Sequence, residues 1–257
     1  MAESPPSRRP VSLRAVLGRA AYTLYDSLWR SAGWSVCFWL GPYSVLAVVV
    51  SKERLLGWAA GLLLLAGVAV ATLGLAALLA HARIVVTRGE GGLASTLAAA
   101  LRGWARAALW LLTNVLVVSV GVVDLAFYLQ ARAFWIAVLG AVWLYLFLFW
   151  ICIQMFVGPA LAGGVGLRRA LRNAALLALE NLGFSLGLAA LLGGLAFALA
   201  LPVAAGINWL SAASAALALF LLPAGVAVVV TEGYEALVSS YRPEADDEAG
   251  VAPGASL

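Results

Sequence analysis

The chain has 257 residues, 64% of them hydrophobic and 11% charged. Soluble domains run near half apolar and a quarter charged, so this balance excludes an ordinary globular domain and points to lipid. The formal net charge of +4 does not indicate nucleic acid: the arginines are spread between apolar runs, where they act as topology signals and contacts for anionic head groups.

Residues 1–10 read as a disordered N-terminal segment, and sustained hydrophobicity begins only near Ala32. No cleavable signal peptide is visible, so the first span is expected to act as an uncleaved anchor. A crossing of the ~30 Å hydrocarbon core needs about 20 apolar residues. Six stretches qualify: residues 32–51, 55–80, 107–129, 134–162, 176–201 and 209–230. The fold class expected is therefore all-α, a polytopic membrane helix bundle of about six transmembrane helices in one domain over residues 11–240. Pro159, Pro202 and Pro223 fall in or beside spans and are expected to kink or end them. The tail, residues 241–257, is acidic and rich in small residues, which predicts disorder.

Thirteen of the sixteen basic residues fall on one side of this arrangement, among them Arg14, Arg19, Arg83, Arg102, Arg106, Arg168, Arg169 and Arg172. The other side holds Lys52, Arg54 and Arg132. The positive-inside rule places the thirteen in the cytoplasm, with both termini, in a bacterial-type inner membrane. Three segments on that side read as amphipathic interfacial helices leading into an outward span. They are an apolar stripe of Leu13, Leu17, Leu24 and Leu28, the segment 95–106, and the segment 167–173. The pattern recurs about every 70 residues. Two readings stay open: an internal repeat, in which Leu101-Arg102 aligns with Leu171-Arg172, or a plain succession of hairpins. Trp29, Trp34 and Trp104 fall near inner boundaries, and Trp58, Phe127, Tyr128, Phe134 and Trp135 near outer ones, as interfacial belts do.

Few side chains offer chemistry. Asp124 follows a long uncharged stretch near the outer end of the third span. It is a candidate for binding a cation or a sugar hydroxyl, or for a pair with Arg132. Asn114 and Gln154 are amides inside spans; with Asp124 and a few serines they make the only candidate ligand or ion pathway, the alternative being bonds between helices. Glu180 is expected in a salt bridge or a helix–helix hydrogen bond at the inner boundary. Arg102, Arg106, Arg168, Arg169 and Arg172 are candidate contacts for lipid or a partner protein.

Gly183-Phe-Ser-Leu-Gly187 matches the serine-hydrolase pattern G-x-S-x-G, but a nucleophile elbow needs a strand-to-helix turn that a membrane helix lacks. Gly183 and Gly187 read better as a helix-packing pair, as do Gly57 and Gly61. Gly89-Glu-Gly-Gly92 lacks the Lys-Ser/Thr ending of a phosphate loop and reads as a connection. Cys37 and Cys152 are isolated thiols in apolar runs, and His81 is the single histidine, too few ligands for a metal. No cofactor is expected, and no enzyme: paired acids, a histidine cluster and a nucleophile–base pair are all lacking.

Several local patterns resemble the YesL-like family of bacterial multi-pass membrane proteins, a domain of unknown function. They are Leu24-Tyr-Asp-Ser-Leu-Trp-Arg30, Ala82-Arg-Ile-Val-Val-Thr-Arg-Gly-Glu90, Ala100-Leu-Arg-Gly-Trp-Ala-Arg106 and Val123-Asp-Leu-Ala-Phe-Tyr-Leu-Gln130. The last is Leu167-Arg-Arg-Ala-Leu-Arg-Asn-Ala-Ala-Leu-Leu-Ala-Leu-Glu-Asn181, after Gly158-Pro159. The resemblance covers about residues 20 to 240, and departs from the family in its alanine and glycine content, longer N-terminal segment and acidic tail. It implies a membrane protein without assigned catalytic residues, some members of which look like companions of carbohydrate import systems.

Two functions are therefore expected to compete. One is an accessory or scaffolding component that docks other membrane transport subunits. The other is a small-solute transporter or channel, alone or as a homo-oligomer, with Asp124 on its pathway.

Overall fold

Backbone polar groups in lipid must be satisfied within the chain, and a helix does this segment by segment. The computed structural model describes residues 11–51, 57–89, 92–130, 134–206 and 208–241, and every regular element among them is an α-helix. The expected disordered termini, the Lys52–Arg54 turn and Arg132 lie outside the described residues.

In chain order the helices are α1 (Leu13–Asp26), α2 (Leu28–Ser51), α3 (Gly57–Arg88), α4 (Leu93–Gln130) and α5 (Phe134–Ala162). They continue with α6 (Leu167–Glu180), α7 (Leu182–Ala204), α8 (Asn208–Phe220) and α9 (Leu222–Ser240). Five of them, α3, α4, α5, α7 and α9, are long and apolar enough to cross a membrane. The fold class is the expected all-α polytopic bundle.

Four boundaries differ from those expected, one of them the start of the fifth span: residues 176–180 belong to α6, which ends at Glu180, and α7 begins at Leu182. The amphipathic segment 95–106 is not a separate interfacial helix: it forms the first third of α4, 38 residues and about 57 Å long. Gly103 is the one glycine within this segment, and one glycine does not end a helix. The other two amphipathic segments are separate, α1 ending at Ser27 and α6 at Asn181. The sixth span is broken at Leu221, because Pro223 takes one of the first positions of a new helix, where its missing N–H costs nothing. The second span also runs on to Arg88, giving α3 32 residues and about 48 Å, more than the hydrocarbon core requires.

The core sits at the arginine-rich end. Residues 152–161 of α5 are largely buried, whereas Leu139, Leu146 and Ile151 on the same helix are exposed. On α3 burial likewise deepens from Thr72 to Val85. The cause is the set of helices that pack there. α6 lays Ala170, Ala174 and Ala178, one residue per turn, against Cys152, Phe156, Val157 and Ala160 of α5. α9 lies between α1, α3 and α5. Toward the other end α3, α4, α5 and α7 present bare apolar side chains, as lipid-facing surface does.

The packing glycines are not those the spacing suggested. A Cβ added at Gly57, Gly61 or Gly183 meets nothing within 4 Å, and at Gly187 only Leu13 Cδ2 at 3.6 Å. Close approach occurs instead between α2 and α3. A Cβ on Gly41 would lie 2.7 Å from Ala71 Cα, and one on Gly74 2.8 Å from Phe38 Cα. A Gly-x-x-x-Gly pair makes one flat face but does not determine what is laid against it.

Candidate functional site

The polar side chains fall into three groups, and the largest was not anticipated. Arg19, Thr23, Ser27, Ser31 and Ser35 recur every four residues, so α1 and α2 present them as one row. Arg19 Nε donates to Glu232 Oε2 at 3.3 Å, and Thr23 Oγ1 to Glu232 Oε1 at 3.2 Å. Ser27 Oγ donates to the Thr23 carbonyl at 2.8 Å and lies 3.0 Å from Ser31 Oγ, which in turn lies 3.2 Å from His81 Nε2. Ser35 Oγ accepts the N–H of Ala224 at 3.2 Å. That N–H is one of the orphan donors at the start of α9, so a serine of α2 caps α9 from outside. Trp39, four residues on, donates to the Ala218 carbonyl. The row thus ties α1 and α2 to α3, α8 and α9.

Sequence reasoning passed over this row and Glu232. The hydroxyls are individually bland, and Glu232 and Glu235 lay beyond the expected end of the sixth span. The periodicity at four residues was the available signal.

The second group is a seam between α4 and α5. Trp110 Nε1 and Asn114 Nδ2 both donate to Gln154 Oε1, the latter at 3.1 Å, and Trp143 Nε1 donates to Asp124 Oδ2 at 2.9 Å. Gly121 and Gly140 make room for the rings of Trp143, Phe147 and Tyr128. On α4 residues 110, 114, 121, 124 and 128 recur at steps of three, four and seven, the spacing of a helix–helix seam. Asn114, Gln154 and Asp124 are therefore brought onto one interface, bonded across it. Asn114 and Asp124 stand ten residues, roughly 15 Å, apart along α4. The expected partner of Asp124, Arg132, lies outside the described residues.

The third group is the arginines. Arg102 on α4 and Arg168, Arg169 and Arg172 on α6 are exposed, and none makes an ion pair among the described residues. Leu176 and Leu179 lie on the same outer face of α6 one to two turns further along, so that face passes from charged to apolar. Arg106 departs from this set: it is half-buried and lines a cavity of about 80 Å³ together with Arg83. Glu180 accepts a hydrogen bond from the Tyr241 hydroxyl at 2.6 Å, and Asn181 Nδ2 donates to the same oxygen at 2.9 Å. The helix–helix bond expected of Glu180 is thus made with the end of α9.

Within the hydrolase-like pattern, Ser185 is buried in α7 and its Oγ donates to the Asn181 carbonyl at 3.0 Å. His81 is bonded to Ser31, on a different helix. The His81 bond links α2 to α3, whereas that of Ser185 closes on the turn preceding it. No family model, curated protein or solved structure matches the chain.

Proposed function

We propose that the chain is an accessory or scaffolding component of a bacterial inner membrane, with both termini cytoplasmic, that docks a membrane transport partner through its arginine-rich end. The observation that carries this reading is the set of four exposed arginines, Arg102, Arg168, Arg169 and Arg172, on the adjoining helices α4 and α6. Each retains a full set of guanidinium donors, suited to carboxylate partners and to lipid phosphate. The YesL-like resemblance supplies the class of partner, a carbohydrate import system.

The alternative, a solute pathway through Asp124, Asn114 and Gln154, has less support. The three side chains are engaged across the α4–α5 seam rather than lining a shared cavity. Pockets for small molecules are of order 300–1,000 Å³, and the cavity at Arg83 and Arg106, about 80 Å³, involves none of the three.

Co-purification of the tagged full chain from its native membrane in mild detergent tests the proposal. Stoichiometric transport subunits are expected with the wild type and not with a variant carrying Arg→Gln at 102, 168, 169 and 172. A chain that purifies alone, or as a homo-oligomer alone, sinks it.

A further inference from the structure

Arg83 of α3 and Arg106 of α4 line the same small cavity, on helices that run side by side at the arginine-rich end. The remaining walls are apolar or small, including Ala76, Leu79, Ala107 and Leu161. Arg83 Nη1 donates to the Pro159 carbonyl at 3.2 Å and lies 3.8 Å from Glu235 Oε1, too far for a hydrogen bond. Glu235 is on α9 and does not line the cavity, so it offsets one guanidinium from the side. Arg106 makes no ion pair among the described residues. Two cations therefore border a partly enclosed space with one carboxylate beside them.

The chain between α5 and α6 is shaped around these two side chains. Gly163 lies against the Arg83 guanidinium, where a Cβ would collide with it. Gly164 has φ +87°, a left-handed conformation that favours glycine, and its Cβ position is 3.7 Å from Arg106 Nη1. The turn thus lies against both guanidiniums.

We propose that this cavity binds one phosphate group between Arg83 and Arg106, at the membrane surface on the arginine-rich end. Planar guanidiniums match phosphate oxygens in pairs, and apolar walls strengthen such charge-assisted bonds by lowering the local dielectric. The volume, about 80 Å³, is more than twice the ~30 Å³ that one water occupies. Basic pockets between membrane helices hold phospholipid head groups. A water-soluble phosphate has the same recognition chemistry. The inference does not depend on the docking role, because Arg102, Arg168, Arg169 and Arg172 take no part in it.

The test is titration of the purified full chain in detergent with short-chain phosphatidylglycerol, phosphatidylcholine and inorganic phosphate. Two variants accompany it. Arg106→Gln removes one guanidinium. Gly103→Leu leaves every charge in place and adds bulk at the cavity wall, where a Cβ meets no atom within 4 Å. Saturable binding that both variants weaken about tenfold or more, the scale of a hydrogen bond to a charged group, supports the phosphate site. Binding of phosphatidylglycerol that inorganic phosphate does not displace assigns it to lipid. Displacement by inorganic phosphate alone assigns it to a soluble ligand. Binding that neither variant changes, with both still folded by thermal melting, or no binding of either phosphate, overturns the proposal.

Discussion

Ser31 Oγ on α2 lies 3.2 Å from His81 Nε2 on α3, and both side chains are buried. The pair links two helices fifty residues apart in sequence, in the middle of a row whose other members reach Glu232 and Ala224 on α9. Removing one partner of a buried bond exposes the other to its full desolvation cost, about 1–3 kcal/mol. Ser31→Ala and Ser35→Ala should each destabilise the protein by that amount, while Ser239→Ala, exposed on α9 and bonded only within its own helix, should not. Thermal melting in detergent measures this. Equal melting temperatures for all three would show that the row does not hold the bundle together.

Gly74→Val would force a side chain into the backbone of Phe38 and should cost about 1–3 kcal/mol, as overpacking does. Gly61→Ala faces open space and should stay within ~0.5 kcal/mol of the parent. Melting of the two variants at several protein concentrations distinguishes them. A loss at Gly61 as large as that at Gly74 would mean that a second copy packs on that face.

For the α4–α5 seam, the bond from Asn114 to Gln154 should be worth about 0.6 kcal/mol, the mean found for side-chain bonds between membrane helices. A double-mutant cycle with Asn114→Ala and Gln154→Ala reads it directly. A coupling of zero would mean that the amides do not act on each other in the folded protein.

Asp124→Asn keeps an acceptor for Trp143 and should leave stability unchanged, whereas Asp124→Leu strands the indole N–H at a cost of about 1 kcal/mol or more. Solute flux in reconstituted vesicles should be the same for wild type and Asp124→Asn. A specific flux that Asp124→Asn abolishes would favour the transporter reading over the accessory one.

Much of this architecture was legible in the sequence because lipid imposes it. Runs of about 20 apolar residues have no other stable form there, so α5 coincides with its expected span, 134–162, and α3 and α7 overlap most of theirs. The arginines of 167–173 likewise gave the start of α6 as amphipathic, but the spacing of Ala170, Ala174 and Ala178, which carries that helix on to Glu180, was passed over. Hydropathy is blind to what joins the helices. It did not show that 95–106 and the third span form one helix, α4, although no helix breaker stands between them. It hid Glu232, whose cost of burial is offset by Arg19 and Thr23 from a helix more than two hundred residues away. It grouped Arg106 with the surface arginines, since only the packing of α3 against α4 separates the two kinds. The glycine pairs failed for the same reason: spacing on one helix carries no information about its neighbour.

The docking role stands or falls on what meets α6 in the native membrane. Site-specific photo-crosslinking from positions 102, 169 and 172, with position 135 on the exposed apolar end as control, tests it most directly. Adducts to one defined transport subunit are expected from the three arginine positions, and none to that subunit from position 135. Adducts to lipid alone from all four positions would contradict the docking role.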